Sequence, residues 1–220
     1  LPTLFWIMLA FIVLILIIGL GRGFASLIGL LMTMAILFGF IFPQILNGAN
    51  PVLVTIIGSI VILGVNMHLS HGFSKRTFAA FGSTVIGLLL VFVFAWFFVT
   101  IARLSGLSSE ESILLYYHQS EFIIPSGILL AGIILGATGV LDDIAITQTE
   151  TVAELKEANP KLSQGELFTR AMRVGRHHIA STVNTLVLAY VGVALPLLLL
   201  YLSTQGTDML HFMNQEPIAE

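Results

Sequence analysis

The sequence predicts an all-α integral membrane protein, a bundle of about six transmembrane helices forming a single domain. Three observations carry this. Only 10% of the residues are charged against 57% hydrophobic, and the mean hydropathy is +1.00, whereas soluble domains run near about 25% charged. The 12 acidic and 9 basic side chains are too few to coat a water-facing surface. The apolar residues gather in runs that reach or approach the roughly 20 residues of helix needed to cross a hydrocarbon core of about 30 Å. Stretches such as residues 9–16 are apolar on every face, which excludes the alternation of a barrel strand. A net charge of -3 argues against an electrostatic nucleic-acid binder. With no cysteine there is neither a disulfide nor a thiolate metal site.

Spans are expected at about 4–20, 24–42, 52–67, 77–101, 122–146 and 179–202. The first two are separated by Gly21-Arg22-Gly23, read as a connection because glycine breaks helices. The second and third are joined across Pro43 to Pro51, with Asn47-Gly48 as the turn, and the third and fourth across His68 to Arg76. Two connections are longer: an acidic one from Arg103 to Glu121, and a charged, partly helical one over 147–178. In the latter, the fifth span runs on to a stop at Asn159-Pro160. Ser163 and Glu166 then restart a helix as a capping box, each able to satisfy the other's free amide.

Orientation follows from the basic residues. Arg22, Lys75, Arg76, Lys156, Lys161, Arg170, Arg173 and Arg176 fall on one side and only Arg103 on the other, so 147–178 is expected to be cytoplasmic and both chain ends outside. An N-out first helix without a signal pattern inserts poorly alone, which makes the chain read as a fragment of a longer protein.

Chemistry concentrates at Asp142 and Asp143. A carboxylate within or at the edge of hydrocarbon costs several kcal/mol and therefore faces a partner, an aqueous cavity or an ion path. Burial and the adjacent like charge both disfavour ionising the two together, so the pair can carry a proton or a small cation. The competing reading is a hydrated helix end, against which Ile144-Ala145-Ile146 returns the chain to apolar sequence. Gly132, Gly136 and Gly139 form a small-residue face, continued by Asp143, on which another helix can pack. Ser181, Thr182, Asn184 and Thr185 open the sixth span at the expected depth of the aspartates and are candidate polar partners, Asn184 and Thr185 foremost. Arg170, Arg173 and Arg176 read as cytoplasmic anchors to lipid headgroups, or alternatively as ion-pair partners of the aspartates. His68, His71, His177 and His178 lack a companion carboxylate at ligand spacing, so no metal site is expected. Trp6, Trp96, Tyr116, Tyr117 and Tyr201 sit near span ends as interfacial anchors. No nucleophile elbow, phosphate loop or paired-helix aspartyl protease arrangement is present, so no enzyme and no cofactor are expected.

Three stretches together resemble the YibE/F family of bacterial multispanning membrane proteins: Pro43 to Asn50, Lys75 to Gly87, and most strongly Gly132 to Pro196, the last containing Gly136-Ala-Thr-Gly-Val-Leu-Asp-Asp143 and Asn184-Thr-Leu-Val-Leu-Ala-Tyr190. The resemblance implies a plasma (inner) membrane location, an additional N-terminal helix with an extracytoplasmic region, and a further C-terminal helix. A weaker similarity links the aspartate-bearing helix to that of resistance-nodulation-division exporters, which implies proton relay. The expectation is a proton- or cation-coupled transporter or exporter component, partnered by the bilayer, by protons or a small cation, and by further copies of itself if it oligomerises. The alternative is a scaffold or assembly subunit whose polar residues only lock helices together.

Overall fold

The computed structural model describes residues 2–107, 110–119 and 124–203 of the chain. Every regular element among them is helical: α1 (Pro2–Ile36), a π-helical stretch (Leu37–Ile41), α2 (Phe42–Leu46), α3 (Pro51–His71), α4 (Lys75–Ala102), α5 (Glu110–Gln119), α6 (Pro125–Ala158) and α7 (Gln164–Ser203). Five segments are long and apolar enough to cross a membrane, namely Gly23–Leu46, Pro51–Leu69, Lys75–Ala102, Pro125–Ala158 and Gln164–Pro196, and Leu4–Gly19 is a shorter apolar helix. The chain is thus an all-α protein of membrane-spanning helices.

One expected connection takes a different form. Residues 21–23 are not a loop but part of α1. Even so, a Cβ on Gly23 would meet the carbonyl oxygen of Ile15, eight residues back. In a straight helix that separation is about 12 Å, so the axis bends sharply between the two apolar segments. The missing side chain at Gly23 permits the approach. The next connection is shorter than expected because the chain stays helical to Leu46 before turning at Asn47 and Gly48, whose φ is 85°.

Helix ends follow local chemistry. Asn50 caps α3 by accepting from the amides of Val52 (3.0 Å) and Leu53 (3.1 Å), and Pro51 fills the first position, where no amide is required. Ser74 caps α4 through the Thr77 amide at 3.1 Å, after a link of only Gly72 to Ser74. α6 passes beyond the expected span to end at Ala158, and the Lys156 ammonium donates to the Pro160 and Leu162 carbonyls at 2.9 Å each. The capping box forms as read: the Ser163 amide donates to Glu166 Oε2 at 3.0 Å, and the Glu166 amide donates to Ser163 Oγ at 3.3 Å.

α6 is the central helix, packed on α3, α4 and α7, while α1 packs on α3. Leu63, Met67, Ala80, Leu88 and Ile134 form the buried core between α3, α4 and α6, and Ile41, Val54 and Ile62 form a second cluster against the π-helical stretch. α3 and α6 run parallel, since a Cβ on Gly127 would lie 3.6 Å from Pro51 at one end and Glu150 lies 3.7 Å from His71 at the other. α7 meets α6 through its first half. Gln148 Nε2 donates to the Ala171 carbonyl at 3.0 Å, and Gly175 leaves room for the same amide. The most apolar stretch of α7 is wholly unburied.

Candidate functional site

A partly open cavity of about 280 Å³ lies where α1, the π-helical stretch, α2, α3 and α6 converge. Its apolar wall is Leu37, Phe42, Ile62, Leu63 and Leu135, and its polar groups come from Thr33, Asn66, Thr138 and Asp142. Each polar group is set by its helix. Ile134, Thr138 and Asp142 recur every four residues, one face of α6, and that face meets α3. The Thr138 hydroxyl donates to the Ile134 carbonyl at 2.7 Å, which leaves its lone pairs toward the cavity. Asn66 Nδ2 donates to Thr33 Oγ1 at 3.1 Å, and Thr33 donates to the Gly29 carbonyl at 2.9 Å. Gly29 makes this junction of α1 and α3 close: a Cβ there would come within 3.0 Å of Asn66 Oδ1.

Asp142 Oδ1 is shielded from solvent and accepts no hydrogen bond from the protein. Such a group in a low-dielectric interior is costly unless it takes up a proton or a cation. Among the described residues Asp142 is the one titratable group lining the cavity. The π-helical stretch borders the same space. Such a stretch adds a residue to a helical turn and recurs at functional sites.

The two aspartates part company. Asp143 points away from the cavity, its side chain 67% exposed, and approaches His178 Nε2 of α7 at 3.4 Å. That contact is an ion pair when the imidazole is protonated, and its geometry is not that of a hydrogen bond, because Nε2 has no bonded partner.

The expected partners on α7 stand elsewhere. Ser181, Asn184 and Thr185 are exposed, Thr182 donates to the His178 carbonyl at 2.9 Å, and Thr185 donates to the Ser181 carbonyl at 3.0 Å. Neither Asn184 nor Thr185 hydrogen-bonds an aspartate. Among the described residues His178 is the α7 side chain that reaches an aspartate, so equal depth does not become contact for Ser181 to Thr185. The glycine face divides: a Cβ at Gly132, Gly136 or Gly139 would meet nothing within 4 Å, Gly132 and Gly136 being exposed while Gly139 lines the cavity. α3 and α4 instead pack on the faces of α6 that carry Ala131, Ile134 and Thr138. Arg170, Arg173 and Arg176 are exposed, and none pairs with Asp142 or Asp143.

Asn66 and Thr33 are the site residues that the sequence reading passed over. Their signal is an amide near the C-terminal end of an otherwise apolar span. His68 is half-buried among Phe73, Phe78 and Phe81, with Nδ1 2.7 Å from the Gly64 carbonyl. Among the described residues no three His, Asp or Glu side chains converge as a metal site. Tyr201 and residues 108–111 and 118–121 of the acidic connection lie outside the described side chains.

No curated protein and no solved structure matches the chain. A family model described as YibE/F-like protein matches residues 7–220, nearly the whole length, and so takes in every helix that builds the cavity. The helical bundle and its aspartate-bearing α6 therefore stand within that match, and the chain belongs to the YibE/F-like family.

Proposed function

We propose that this chain is a proton- or small-cation-coupled transport component of the bacterial inner membrane, with Asp142 as the residue that binds and releases the coupling ion. One observation carries the reading: a carboxylate oxygen shielded from solvent, without a protein partner, in a cavity inside membrane-spanning helices. A permanently structural aspartate would be expected to hold an amide, hydroxyl or cation against that oxygen. Asn66, Thr33 and Thr138 supply oxygen atoms around the same space and stabilise whichever ion arrives. Asp143, exposed and opposite His178, has a secondary role at the α6–α7 contact.

Infrared spectroscopy of the lipid-reconstituted protein tests this without a transported substrate. The expected result is a carboxyl band that responds to bulk pH, disappears in Asp142→Asn and persists in Asp143→Asn. A response to Na⁺ at fixed pH identifies a cation rather than a proton as the coupling ion. A spectrum indifferent to both, or a response that survives Asp142→Asn, rejects the assignment. The scaffold reading would then stand, supported by the Thr33–Asn66 hydrogen bond that ties α1 to α3.

A further inference from the structure

α3 carries two buried hydroxyls that the cavity does not include. Thr55 and Ser59 are each 0% exposed, and neither Thr55 Oγ1 nor Ser59 Oγ has a hydrogen-bond partner. This is unusual for their setting. A helical Ser or Thr with nothing else to do bonds the carbonyl one turn back, as Thr33, Ser83, Thr84, Thr100, Thr138, Thr149 and Thr151 all do in this chain. In an apolar interior an idle hydroxyl is destabilising.

Their positions give the two hydroxyls a direction. At about 100° per residue, Thr55, Ser59 and Asn66 fall within roughly 40° of one another on α3. The parallel register of α3 and α6 puts Pro51 beside Gly127 and Asn66 on the same cavity as Asp142, so this stripe faces α6 near Ala131 and Leu135. Thr55 lies one turn from the N-terminal end of α3, Ser59 one turn further in, and Ile62 and Leu63 at the cavity wall within the next turn. Residues one turn apart have Cβ atoms about 6 Å apart, a gap that one water molecule bridges.

We infer that Thr55 and Ser59 form a hydroxyl relay along which protons reach Asp142 from the N-terminal end of α3, which the Lys and Arg distribution assigns to the extracytoplasmic side. The inference rests on the proposed role of Asp142 and specifies its coupling ion. A metal cation would need about six oxygen ligands at each step, and the neighbouring Val54, Ile62 and Leu135 supply no side-chain oxygen. A proton needs only a donor and an acceptor, and a hydroxyl is both. Among the described residues no other titratable group lines the cavity, and Asp143 and His178 face each other outside it.

The test compares wild type with Thr55→Val/Ser59→Ala in vesicles of uniform orientation. The Asp142 carboxyl band is followed after a pH step applied to one side at a time. The relay predicts that the response to an extracytoplasmic step slows by about tenfold or more in the variant, while the response to a cytoplasmic step and the final amplitude are unchanged. Thr55→Ser/Ser59→Thr, which keeps both hydroxyls, should restore the wild-type rate, and this separates relay from packing. Equal rates in wild type and the Val/Ala variant, with the band still responding to pH, overturn the relay and leave the role of Asp142 intact. Slowing that is not restored by the Ser/Thr variant assigns the hydroxyls to packing. A wild-type band that ignores pH on both sides removes the proton reading and the relay together.

Discussion

Asn66 bridges two functions through one side chain: its amide nitrogen holds Thr33 of α1, and the residue lines the cavity that contains Asp142. Asn66→Leu therefore removes a link between helices and a polar wall at once. Cross-helix hydrogen bonds in membranes contribute about 0.6 kcal/mol on average, so the variant should melt only slightly lower in detergent while losing the pH response of the Asp142 band. A large fall in stability would instead make Asn66 chiefly structural. At Gly175 a Cβ would come 2.6 Å from Gln148 Oε1. Gly175→Ala should displace that flexible amide and forfeit its bond to the Ala171 carbonyl, a loss of about 1 kcal/mol by thermal unfolding, whereas Gly175→Leu should part α6 from α7. Asp142 was legible in the sequence because an intramembrane carboxylate is expensive wherever it lies. Its partners were not. Equal depth in consecutive spans points to α7, whereas the neighbour in three dimensions is α3, whose Thr55, Ser59 and Asn66 share a face that only a helical projection brings out.

At the scale of elements, the caps were the most readable feature, since each joins residues a few positions apart. Ser163→Ala should cost about 1 kcal/mol, seen as faster amide hydrogen exchange confined to the first turn of α7. The π-helical stretch left no comparable mark, because Leu37-Phe38-Gly39-Phe40-Ile41 is as apolar as the helix before it. Its extra residue sets the angular relation between Thr33, which meets Asn66, and Ile41, which packs on Gly58. Deleting Gly39 would restore ordinary helical bonding and rotate one side by about 100°. The expected result is unchanged far-ultraviolet circular dichroism with a lowered melting temperature, because one of the two contacts must be lost. Glycine was also overread at residues 21–23. Its helix penalty is only about 1 kcal/mol, so the chain bends there while keeping its helical assignment.

The whole molecule invites cysteine chemistry, because the chain contains none of its own. His71→Cys/Glu150→Cys should be joined by a flexible bifunctional thiol reagent that spans the two side chains it replaces, since their tips approach within 3.7 Å, whereas Gly132→Cys/Glu150→Cys, far apart on one helix, should not. Failure of the first pair would dismiss the parallel packing of α3 and α6. That packing also bears on how the protein is made. α3 leaves the ribosome well before α6, with α4 and α5 still to come, and until then Thr55 and Ser59 lack the helix that covers them, whereas Asn66 already has Thr33 of α1. Lipid is a poor host for such a face. The third span must therefore linger at the insertion machinery or at its protein-lined edge until the sixth helix arrives, and chains truncated before Pro125 should be held there or degraded rather than released into the bilayer.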